Sequence, residues 1–159
     1  MPHCLVYDWL YGVLSGPEKT TVRNNMAAIA DVFLANYTTE IKLDDYHNYM
    51  TQWINGMMMA GLAIYNDDPV RGKNYLDWAC GTLYEGHTFT NAFGESKVWN
   101  FKESMIYSGG YCDFEGIGYF KNAIPEVARA IEAWDSATNR HFDILALRRH
   151  YQGLSVYFL

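Results

Sequence analysis

Apolar residues recur along this chain mostly at helical spacing. Residues 7–14, YDWLYGVL, read as a short helix that SGP at 15–17 closes. Pro17 suits the first turn of the next helix, and Glu18 suits its positive end. Along that helix Val22, Met26, Ile29, Ala30 and Phe33 fall on one face. The polar connection TTEIKLDD leads into a third helix over 45–66. NDDP at 66–69 stops it and starts a fourth, with Asp68 as cap and Pro69 at the first helical position. Tyr75, Leu76, Ala79 and Leu83 keep the helical period, and Gly86 ends the element. Beyond a loop-like stretch, 86–96, the pattern predicts a helix from 97 to about 107 and a glycine-rich turn, SGGYCDFEGIGYF, at 108–120. Two more helices are expected, over roughly 120–137 with Pro125 kinking or delaying its start, and over 143–153 capped by Asp143. No alternating run with hairpin punctuation stands out. The expectation is all-α: helical hairpins in a single domain, 1–159, with strands minor at most.

The third helix, within HNYMTQWINGMMMAGLAIYN at 47–66, changes character along its length. Its second half is apolar on every side, which predicts an inner helix with Met57, Met58, Met59 and Leu62 covered. Its first half carries His47, Asn48, Thr51, Gln52 and Asn55, all neutral hydrogen-bonding groups. Asn48, Gln52 and Asn55 lie within about 60° of one another around the axis. Lys and Glu would be the natural occupants of a stripe facing bulk water. In a dry core each unpartnered amide would lose roughly 1–3 kcal/mol. Two arrangements meet both constraints: an interhelical amide network, or a wet enclosed cavity that receives a polar ligand.

Composition narrows the classes of partner. The net charge is -6 and the pI is near 5.2, against the basic face that nucleic acid requires. Aromatics make up 16% of the chain, with 13 tyrosines and 5 tryptophans; beyond filling a core, such rings line carbohydrate clefts. The apolar run 57–64 is too short for a membrane span, which takes about 20 residues. MPHCLVYDWL lacks the basic region and apolar run of a signal peptide. Cys4, Cys80 and Cys112 are widely spaced with no CxxC, and read as reduced or buried thiols. His87, His141 and His150 show no ligand spacing, so no metal and no cofactor are expected.

Three blocks, YDWLYGVLS, then HNYMTQWINGMMMAGLAIYNDDP, then GGYCDFEGIGYF, together resemble the heparinase II/III-like polysaccharide lyases in content and order. The resemblance implies an (α/α) toroid whose inner helices line a cleft for acidic polysaccharide. It also implies β-elimination: a base removes the proton beside a uronate carboxylate, and the glycosidic oxygen leaves across the new double bond. Neutral donors suit that task because preorganised hydrogen bonds stabilise the developing enolate. Carried over by position, His47 and Asn48, with Asn55, match the carboxylate-neutralising helix, and Tyr119 matches the tyrosine that acts as base and then acid. Gln52, Trp53, Tyr111 and Glu115 are the accompanying candidates for substrate binding. The chain is about half the length of such a toroid, so part of a toroid domain is expected, with self-association through an exposed apolar flank. The resembled family is usually periplasmic or secreted. Asp113 and Glu115 leave an (α/α) barrel glycoside hydrolase as the second enzyme class, and a non-catalytic glycan-binding or interaction module as the alternative to both.

Overall fold

A computed structural model of the chain describes residues 2–39, 48–90, 94, 96–100 and 117–139. Among the described residues are five α-helices: α1 (Pro2–Leu10), α2 (Gly16–Thr39), α3 (Asn48–Ile64), α4 (Pro69–Cys80) and α5 (Ile117–Thr138). The fold is mostly helical, as the periodicity predicts. Strands β1 (His87–Thr90) and β2 (Ser96–Trp99) form an antiparallel pair with His87 opposite Trp99 and Thr90 opposite Ser96. This hairpin stands where a loop and the start of a helix from 97 are expected. Its strands have four residues each, too few for alternation to register against a helical background.

The caps follow the local chemistry. The Glu18 carboxylate accepts from the Ser15 backbone N–H at 2.8 Å and from the Ser15 hydroxyl at 2.6 Å. The Ser15 carbonyl in turn takes the Lys19 N–H, so Ser15 caps α2. At α4 the Asp68 side chain accepts from the Arg71 N–H at 3.2 Å, with Pro69 in the first turn. Beyond Cys80 the helix widens over Gly81–Glu85, and the Gly86 N–H closes on the Gly81 carbonyl at 2.7 Å. Gly86 stops it at φ 98, a conformation open to glycine. α1 begins earlier than the apolar pattern suggests, and Tyr11 lies just past its end.

α3 is the centre of the molecule. It packs chiefly against α4 and α5 and also touches α1 and α2. Ile54, Met57, Met58, Ala60 and Ile64 are fully buried, while Met59 and Leu62 are half-buried, so the inner-helix expectation holds. Small residues let α3 and α4 approach closely. A Cβ on Gly72 would stand 2.8 Å from the Tyr65 Cα, and one on Gly61 would stand 2.7 Å from the Leu76 Cγ. Val127, Ala130 and Ile131 of α5, with Cys4 and Tyr7 of α1 and Met26, Ala27 and Ala30 of α2, complete the core.

Candidate functional site

The polar half of α3 splits along the edge of the core. Thr51 and Asn55 are buried, whereas Gln52, about 60° further around, is exposed. Met59 and Ala63 lie on the Gln52 side and are half-buried. α3 is therefore covered around most of its girth and open along one narrow strip.

Asn55 is 6% exposed and donates through its amide nitrogen to the Glu126 carboxylate of α5 at 2.5 Å. Arg129 holds the other Glu126 oxygen at 2.6 Å, one turn along. This chain of contacts ties α3 to α5 through a charge-assisted bond. The Asn55 carbonyl oxygen is buried without a hydrogen-bond partner among the described residues. Asn55 thus joins an interhelical amide–carboxylate contact, one of the two arrangements its stripe allows, and keeps a spare acceptor. Trp53 is half-buried, with its ring edge-on to Phe33 at 4.9 Å between centroids, which makes it a core flank of α2 and α3.

Of the other sequence candidates, Asn48 opens α3 and Tyr119 lies in the first turn of α5, on helical backbone where a glycine turn is expected. Helix α5 begins at Ile117 and runs through Pro125, because Ile117, Phe120, Ile124, Val127 and Ile131 already keep the helical period. The side chains of Asn48 and Tyr119, and all of His47, Tyr111, Asp113 and Glu115, lie outside the described residues.

A second polar cluster has no counterpart among the sequence candidates. The Asp67 carboxylate, just past α3, accepts from the Tyr7 hydroxyl and from the Tyr11 hydroxyl, each at 2.7 Å. These bonds hold the Asp67 carboxyl below the ordinary aspartate range, with Arg23 and Lys19 adding to the effect. Burial, and then the Asp67 bond, push the Tyr7 phenol upward; for Tyr11 the Asp67 bond leads. The Lys19 ammonium sits 3.9 Å from the Tyr11 ring centroid. Two tyrosines four residues apart in YDWLY are the only sequence signal for this clamp, and their partner lies 60 and 56 residues away. Among the described residues no group of three or more His, Cys, Asp or Glu could hold a metal ion, and no helix is long and apolar enough to cross a membrane.

Comparison with known proteins adds no relative: no family model, no curated protein and no solved structure matches the chain.

Proposed function

We propose that this chain is a polysaccharide-lyase-like helical module, part of an (α/α) toroid, that takes uronate-containing polysaccharide along the open strip of α3. The observation that carries the reading is the Asn55–Glu126 bond, because it sets α3 and α5 in register beside the strip. Asn48 precedes Asn55 by seven residues (55 − 48), and Tyr119 precedes Glu126 by seven (126 − 119). Inner helices of a toroid run parallel, and in that arrangement both positions fall roughly 10 Å before the bond, at one level. An amide that neutralises the uronate carboxylate and a tyrosine that moves the neighbouring proton would then work on the same sugar. Gln52 on the open strip supplies a further neutral donor. The buried, carboxylate-bound Asn55 fits a supporting role better than direct contact with an anionic sugar.

In the elimination itself, Tyr119 as phenolate takes the proton beside the carboxylate. The electron pair forms the new double bond as the glycosidic C–O bond breaks, and the phenol returns the proton to the leaving oxygen. The test is to incubate the chain with alginate or heparan sulfate and follow the ultraviolet absorbance of unsaturated uronate. Growth of that band, abolished in Tyr119→Phe with the helical circular dichroism retained, supports the reading. New reducing ends without the band would make the chain a hydrolase. Saturable binding with neither product would make it a glycan-binding module, and the absence of binding to any uronate polymer would sink the proposal.

A further inference from the structure

We infer that Glu126 sets the substrate class of the α3 strip: it admits sugars that bring hydroxyl donors and turns away sulfated ones. The inference rests on the polysaccharide reading above and deepens it. Gln52, exposed on the strip, precedes Asn55 by about one turn, a spacing that puts Cβ atoms about 5–6 Å apart. Glu126 bonds to Asn55, and 24% of its side chain reaches solvent, so its carboxylate forms the α5 rim of the strip. Both carboxylate oxygens are held, one by Asn55 and one by Arg129, which fixes the group in place.

This rim is rich in acceptors and short of donors. Each Glu126 oxygen keeps a lone pair beyond the bond it accepts, and the buried Asn55 carbonyl oxygen has no donor among the described residues. At Glu126 a sugar hydroxyl supplies the donor. A sulfate ester at the same carbon has no proton to give and sets a second anion against the carboxylate, so a bond is lost and repulsion is added. α3 carries no charged residue to offset that repulsion. Arg129 is the only cation among the described side chains of α5, and it is already paired with Glu126. On the reading above, the uronate carboxylate that is neutralised lies roughly 10 Å away, about a Debye length at ~0.1 M salt, so Glu126 bears on it far less.

Calorimetric titration of the full chain with heparosan and with heparan sulfate tests this, because the two polymers share a backbone type and differ in sulfation. Heparosan should bind more tightly by about tenfold or more at ~0.1 M salt. Glu126→Gln removes the charge and keeps an acceptor for Asn55, so helical circular dichroism should be retained while the preference shrinks. Arg129→Gln leaves Glu126 without its cation, so the preference should grow. A purely structural role for the contact would not move the two variants in opposite directions. Glu132→Gln, an exposed carboxylate elsewhere on α5, should leave the ratio unchanged. Equal binding of both polymers, tighter binding of heparan sulfate, or a ratio indifferent to Glu126→Gln overturns the inference. Binding of neither polymer overturns it together with the polysaccharide reading. Selective binding of heparosan without growth of the ultraviolet band supports the inference and refutes the elimination alone.

Discussion

Replacing Gly72 by alanine sets two known effects against each other, and the structure decides which wins. Inside an exposed helix, Gly→Ala stabilises by up to about 1 kcal/mol through helix propensity. At Gly72 the added Cβ would stand 2.8 Å from the Tyr65 Cα, 3.1 Å from the Gly61 carbonyl oxygen and 3.2 Å from the Tyr65 nitrogen. All three are backbone atoms, which cannot swing aside as a side chain would, so α3 and α4 must part along their contact. Overpacking of this kind costs about 1–3 kcal/mol, and a purely backbone clash belongs at the upper end. The net expectation is a loss of about 2 kcal/mol. In urea unfolding followed by circular dichroism, the midpoint should fall by roughly 1 M with the slope unchanged. The melting temperature should drop by about 4–8 °C. Gly12→Ala is the control, since a Cβ there meets nothing within 4 Å, and it should change stability by less than about 1 kcal/mol. Gly61→Ala should also destabilise, and the double variant with Leu76→Ala should lose less than the sum of the two single losses, because Leu76 supplies the two nearest clashing atoms. If Gly72→Ala proved as stable as the parent or more so, propensity would have won and the close helix crossing would be refuted.

Three further outcomes follow from the polar contacts. Asp67 is depressed in the folded chain, so its contribution is present above the ordinary aspartate pKa and fades as pH falls through the folded value; Asp67→Asn should flatten that acid limb, below about pH 4, in a stability–pH profile. Tyr7, Tyr11 and Tyr75 are all raised, so their contribution holds below about pH 10 and is lost as pH climbs further; Tyr7→Phe should soften that alkaline loss. Asn55→Asp places a second carboxylate against Glu126, which should destabilise by about 1–3 kcal/mol at neutral pH and by less on acidification, read as melting temperatures relative to the parent chain at each pH.

Local chemistry was the legible part of this chain. Asp68 and Pro69 announce the start of α4, Gly86 the end of the widened stretch that continues it, and the methionine run an inner helix; each depends only on residues within a few turns. The early start of α5 and the β1–β2 hairpin were misread for opposite reasons. Gly118 reads as part of a turn, yet the helical period of Ile117 and Phe120 outweighs it, while four-residue strands are too short to show a period. The amide stripe was recognisable, but its division into buried Asn55 and exposed Gln52 depends on where α5 lies. Asn55 finds Glu126 across 71 residues, and no spacing rule reaches that far.

The Asp67 clamp bears on what a motif resemblance is worth. Tyr7 and Tyr11 come from YDWLY and Asp67 from NDDP, two of the blocks that give the chain its lyase-like look. In the folded chain they bond to each other and fasten α1 to the end of α3. A buried tyrosine hydroxyl needs an acceptor, and a carboxylate with two such donors is more firmly held than with one, so these positions have a sufficient reason in stability alone. Likeness at these positions therefore reports on a helical scaffold and is neutral about chemistry. The weight of a catalytic claim falls on the open strip of α3 and the first turn of α5, where Gln52 faces outward and Tyr119 sits on helical backbone. Tyr119→Phe and Asp67→Asn separate the two contributions: the first should remove any elimination with stability kept, and the second should lower stability while any elimination by the remaining folded chain persists.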